Sequence, residues 1–244
     1  MGFFRKVGRK LHGETFFRNV VVNAALILVV AGILSAAIVP NLTSASGPGA
    51  NGAVYRGNTA NKNIALMFGI GRDSEALDDI LAVLSEENVR LTFFIGGAWA
   101  ARNPETLKKI HAAGHEPGNY GYYQKESKRL SQTRVQEEIL ITHKLVEETT
   151  GAGMNLFMPP GGNFNKAALE AAKLLNYKVI VFTRDTGGRR DQADEIRARA
   201  VKNMKNGDLI LLHPSRETLC ALRQIIKTIR DAGFNITTVS EAIK

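Results

Sequence analysis

The segment 63–95, NIALMFGIGRDSEALDDILAVLSEENVRLTFFI, decides the fold. Ile64–Phe68 is an unbroken apolar run of the kind that forms a strand buried on both faces. From Ser74 to Glu87 the apolar residues recur three and four apart, which predicts a helix with one buried stripe. Leu91–Ile95 returns to a short β-prone run. A strand, a helix and a second strand in close succession make a βα unit with parallel strands.

The same rhythm continues downstream. Helices are expected over Pro104–Ala113, Ser131–Thr149, Asn165–Leu175, Ala193–Met204 and Glu217–Ala232. Strands are expected at Leu156–Phe157, Lys178–Phe182, Asp208–His213 and Phe234–Thr238. Asn103 is placed to cap the second helix and Gly114 to close it. Such alternation predicts an α/β fold, an irregular (β/α) barrel of about seven strands. Chemistry in such a barrel gathers where the strands end. Those ends are Phe68–Asp73, Gly96–Trp99, Asn119–Gln124, Met158–Gly162, Thr183–Arg189 and His213–Pro214. Gly69-Ile70-Gly71 lacks the third glycine of a dinucleotide fingerprint, so a nucleotide cofactor is not expected.

Upstream of the barrel the composition changes twice. Val20–Val39 is almost wholly apolar, and about 20 helical residues cross a hydrocarbon core of roughly 30 Å. Arg5, Lys6, Arg9, Lys10 and Arg18 precede it, against one acid, Glu14. The positive-inside rule therefore predicts a cytoplasmic basic tail (1–19), a transmembrane signal-anchor (20–39) and an extracytoplasmic C-terminal domain at the cell membrane. A cleaved signal peptide competes, with Ser35 and Ala37 as small residues before a cut. Residues 40–63 read as a flexible Gly/Ser/Asn-rich linker, so the folded domain is expected over 64–244. The lone Cys220 excludes an intrachain disulfide and reads as a small core residue of its helix. A net charge of +9 suits an anionic envelope polymer or a lipid surface. No dense basic stripe accompanies it, so nucleic acid is not an expected partner.

Several blocks occur together in order: Ile64–Phe68, Thr92–Phe94, Gly114–Glu116 with Gly118-Asn119, Leu156–Pro160 with Gly162, and Leu211–His213. In this order and at this spacing, the chain from Ile64 to Lys244 resembles the polysaccharide deacetylases, the carbohydrate esterases that remove acetyl groups from amino sugars. The tail, single anchor and linker resemble the membrane-anchored subgroup of spore-forming bacteria, as do Ile70 and Gly97–Ala100. The resemblance implies a divalent metal such as zinc, held by one Asp and two His, that activates a water molecule. It also implies a second Asp as base, an Arg that orients the base, and a distant His, supported by an Asp, that protonates the leaving amine.

Matched residue by residue, most of that machinery is absent. The base position is Gly69 and the ligand Asp position is Ile70. The two ligand His positions are Tyr120 and Gln124, and the Arg position is Met158. Asp185 and His213 remain, a relic of the acid pair. The resemblance therefore implies a degenerate site without the family's metal cofactor: a pseudoenzyme. Tyr120, Tyr122, Tyr123 and Trp99 are candidate glycan-stacking residues, because aromatic faces pack on sugar rings. The same rings equally suit filling of the space that metal and imidazoles would occupy. Arg184, Arg189 and Arg190 are either anion contacts or a solvated loop. Three functions follow as expectations. The first is a silent domain that binds or organises cell-wall or spore-envelope glycan. The second is an N-deacetylase with a rearranged site using Asp73, Asp185 and His213. The third is a scaffold in a sporulation membrane complex with a protein partner.

Overall fold

The computed structural model describes residues 52–71, 74–187 and 191–244. The expected tail and anchor, and the first part of the linker, lie outside the described residues. No described helix is long and apolar enough to cross a membrane.

Among the described residues eight strands form one parallel sheet: β1 (Asn63–Ile70), β2 (Thr92–Ile95), β3 (Glu116–Asn119), β4 (Leu156–Phe157), β5 (Lys178–Val179), β6 (Arg184–Asp185), β7 (Leu209–Leu212) and β8 (Asn235–Thr237). Seven of them run in the order β5-β4-β3-β2-β1-β7-β6, and β8 pairs with the start of β1. Pairing is parallel throughout, as the crossover helices require. The count of about seven strands thus becomes seven along the path plus β8 at its side.

Alternation along β1 sets the two layers. Ile64, Leu66, Phe68 and Ile70 face outward into a cluster shared with the helices. Ala65 and Met67 face inward with Phe94, Leu156, Met158, Ile180, Leu209 and Leu211. Both faces are covered, which is why the strand reads as a continuous apolar run. The outer layer is closed by the helices Leu77–Glu86, Pro104–Ala112, Gln132–Thr150, Lys166–Leu174, Ala193–Val201 and Arg216–Asp231. Phe68 stacks on Phe93 beneath them, with centroids 5.3 Å apart.

The linker boundary needs correction. Packed structure begins near residue 53, well before Ile64. Ala53 joins the outer cluster and Val54 the inner one, as in a strand. Val54 donates its N–H to the Val179 carbonyl at 2.8 Å and accepts from Val181 at 2.8 Å. Three residues on, Gly57 donates to Gly207 at 2.7 Å, just ahead of β7. Residues 53–57 therefore run from the edge at β5 to the start of β7 and complete the wall there. Arg56 pays for its partial burial with an ion pair to Asp208, a fully buried carboxylate that also holds Arg184. Arg184 is thus a floor residue at the start of its strand, not a rim contact for an anionic ligand.

Two further expectations change. Asn103 precedes the helix Pro104–Ala112, but its side-chain amide bonds the Trp99 carbonyl at 2.9 Å instead of capping. Gly114 does close that helix, with φ of 77°. Cys220 is exposed. The buried stripe of its helix is Thr218, Ala221, Leu222, Ile225, Ile226 and Ile229, which leaves position 220 on the opposite face.

Candidate functional site

The parallel sheet places the described parts of all six expected strand ends on one side. The one after β6 is described only to Gly187, and Arg189 and Arg190 lie outside the described residues, as does Asp73.

Gly69 faces inward at the end of β1. A side chain there would meet the Tyr120 ring at 3.4 Å, and Leu211 and the Met158 thioether methyl at 3.5 Å. These are ordinary van der Waals contacts, so a Cβ fits at Gly69 and what the position lacks is the carboxylate itself. Ile70 is fully buried in the helix-facing cluster. Met158 is fully buried in the inner cluster, so an apolar thioether fills the space of the expected guanidinium.

Tyr120 follows β3. Its hydroxyl lies near the Gly161 backbone N–H and the Asp185 charge. Burial pushes its pKa up, the Gly161 N–H opposes this, and the Asp185 charge adds to the rise. Gly161 sits at φ of 66° in the Pro160–Gly162 turn, a left-handed conformation that glycine tolerates. The phenol therefore stays neutral and plugs the centre of the mouth.

Gln124 reaches back across the strand ends. Its side-chain amide donates to the Ile70 carbonyl at 3.2 Å. A side chain at Gly71 would meet its amide oxygen at 2.7 Å, and one at Gly96 would overlap its nitrogen. Gln124 itself has φ of 56°, unusual for a residue with a Cβ. The loop before it is pinned at several points. Gly97 donates to the Gly121 carbonyl at 3.0 Å, Ala98 to that of Tyr122 at 3.0 Å, and Gly121 to the Asn119 side chain at 2.9 Å. The Tyr123 N–H donates to the buried Glu138 carboxylate at 2.6 Å. Asn119, part of the Gly118-Asn119 block that carries the resemblance, thus holds the turn, and an Asn two residues before a glycine is a local turn signal.

Asp185 and His213 do meet. His213 Nε2 lies 2.8 Å from Asp185 Oδ1. Burial raises the Asp185 pKa, but the hydrogen bond and charge of His213, the Gly187 N–H and the Arg199 charge outweigh it, and the net shift is downward. The carboxylate is therefore ionised at neutral pH and able to orient the imidazole.

The donor set at the matching positions does not fit a divalent ion. Glycine and isoleucine offer no side-chain donor, the phenol is held neutral, and the Gln124 amide is committed to a backbone carbonyl. Among the described residues no group of three His, Cys, Asp or Glu side chains converges for a metal. The proposed trio with Asp73 includes a residue outside the described ones.

The aromatic candidates divide. Trp99 is 1% exposed in the outer cluster, and its indole N–H donates to Ser74 at 3.0 Å. It is a core residue behind β2, not a stacking platform. Tyr120 fills the mouth. Tyr122 is half-buried and meets Tyr123 edge-on at 4.7 Å, while Tyr123 is 55% exposed. His115 is structural: it accepts from the Leu91 N–H at 3.2 Å, and burial pushes its pKa down to about 4. His143 is likewise structural, 2.5 Å from the Tyr177 hydroxyl.

The sequence model described as polysaccharide deacetylase matches residues 56–180. A peptidoglycan-N-acetylglucosamine deacetylase of Bacillus cereus is 30% identical over 190 residues, spanning 75% of this chain and 89% of that protein. The chain belongs to the polysaccharide deacetylase family. The Bacillus subtilis protein YlxY is 31% identical over 189 residues, which are 77% of this chain but only 59% of that relative. A solved structure described as a carbohydrate esterase family 4 pseudoenzyme from Bacillus anthracis is similar, with a TM-score of 0.76 and 27% identity over 79% of this chain and 69% of that one. A mutant of that pseudoenzyme, described as having restored enzymatic activity, matches equally well, with a TM-score of 0.76.

Proposed function

We propose that this protein is a non-catalytic polysaccharide deacetylase relative that binds cell-wall or spore-envelope glycan outside the membrane spanned by residues 20–39. One observation carries the reading. Gly69, Ile70, Tyr120, Gln124 and Met158 stand at the base, ligand and orienting positions, and none of them supplies a carboxylate, an imidazole or a guanidinium there; the Tyr120 ring, Met158 and Leu211 surround Gly69 at contact distance. Parts that act as a unit are lost together, so no residual fraction of the family's reaction is expected from the remainder. The similarity to a relative described as a pseudoenzyme supports the same reading. So do the substrates named for the peptidoglycan deacetylases, which suggest the polymer class.

The test combines three measurements on the purified protein: equilibrium dialysis against Zn²⁺ or Co²⁺, acetate release from N-acetylglucosamine oligomers, and co-sedimentation with peptidoglycan. Retention on peptidoglycan, without stoichiometric metal or acetate, is expected. Tight one-to-one metal uptake together with turnover overturns the reading.

A second reading rests on the intact His213–Asp185 pair, 2.8 Å apart. An ordered imidazole–carboxylate pair is the general-acid half of an N-deacetylase, and Asp73 would have to complete a rearranged site. Acetate release that disappears in His213→Ala is the result that favours it.

A further inference from the structure

The loop that replaced the family's second ligand motif carries an unusual pairing at the mouth. Tyr123 is 55% exposed, yet its backbone is fixed by Glu138, which is only 4% exposed. An aromatic ring held on a pinned loop loses little freedom when a ligand stacks on it. Lys125 stands over the same ring, with Nζ 5.5 Å from the centroid.

The charges nearby are already matched, except for this one. Glu126 pairs with Arg129 at 2.9 Å and Lys128 at 3.7 Å. Arg134 pairs with Glu137 at 2.6 Å and lies 3.6 Å from Glu138. Among the described residues no carboxylate stands within ion-pair distance of Lys125, whose ammonium faces the Tyr123 ring. A cation over an exposed aromatic face is only weakly held, so the ammonium is free to move onto a stronger anionic partner.

We infer that Tyr123 and Lys125 form a subsite for a sugar ring bearing a carboxylate, so that the preferred ligand is an anionic amino-sugar polymer and not a neutral one. This deepens the glycan-binding reading and rests on it. The sugar packs against the Tyr123 ring, and its carboxylate takes the Lys125 ammonium. The interaction is screened by salt, because both groups are exposed.

The experiment measures binding of the full-length chain, in mild detergent, to chitin oligomers and to carboxymethylated chitin of matched length by calorimetry. At low salt the carboxymethylated ligand is expected to bind about fivefold tighter, the scale of one exposed ion pair, and 0.5 M NaCl should erase the difference. Lys125→Gln should remove the preference while leaving affinity for neutral chitin unchanged. Lys128→Gln, which alters the net charge equally, should keep it. Tyr123→Ala should weaken both ligands. Unchanged thermal midpoints show that these surface variants are folded. Equal wild-type affinities, or a preference that survives Lys125→Gln, overturn the subsite while glycan binding stands. Binding of neither ligand overturns the glycan reading itself, and the subsite with it.

Discussion

At the floor of the barrel Asp208 is fully buried and still ionically engaged, holding Arg56 and Arg184 while accepting from the Lys205 N–H at 2.9 Å. At the mouth the interior positions hold a phenol, a thioether and an isobutyl group around a glycine. The two ends respond to damage differently. A buried charge network depends on all its members, since removing one strands the others away from water. An apolar plug is held by many small contacts and gives way gradually. The mouth can therefore exchange its chemistry with little loss to the fold, whereas the floor cannot.

The comparison breaks most visibly if the chain is shortened. A protein starting at Asn63 loses Val54, Arg56 and the backbone bonds from Gly57 to Gly207. It should lose more than about 5 kcal/mol, the lower end of ordinary domain stability, and show no cooperative urea transition. One starting at Asn51 should unfold like the complete domain. Next in size, Asp208→Ala should cost about 3–5 kcal/mol in urea denaturation, because two guanidinium groups lose their shared carboxylate.

A third effect depends on pH. His115 is held neutral in the fold, with its pKa pushed down by burial to about 4. An unfolded chain takes up this proton near pH 6.5, so the contribution is complete above that value and is lost as pH falls toward 4. Stability should drop by about 3 kcal/mol over that window, and His115→Gln should flatten the slope. The smallest effect belongs to the mouth. Tyr120→Phe removes a single hydroxyl beside the Gly161 backbone and should cost only about 1 kcal/mol. A loss as large as that of Asp208→Ala would erase the contrast between the two ends.

The βα rhythm was legible because most strands are short apolar runs and most helices show a single buried stripe. What escaped had a physical reason in each case. Strand β3 is Glu116-Pro-Gly-Asn119, poor in β-prone residues. It pairs with β2 because Gly118 leaves room for the Phe94 ring, which a side chain there would meet at 2.6 Å. Residues 53–57 resembled a linker because glycine and asparagine surround a single apolar pair, and only the gap beside β5 gives that pair a place. In the candidate site, Gly69, Ile70, Tyr120, Gln124 and Met158 were identified by their order. Their packing was not, since an aromatic at a strand end reads the same whether it fills the mouth like Tyr120, faces solvent like Tyr123 or lies in the core like Trp99.

Trp99 is the sole indole of the sequence, and it is sealed behind β2 with its N–H on Ser74. The molecule thus carries a built-in optical gauge of its own integrity. Its emission should stay blue while the barrel is intact and shift red when the outer layer opens to water. Because Tyr123 and Lys125 lie on the loop and Trp99 lies in the core, titration with a saccharide and denaturation should leave separate fluorescence signatures.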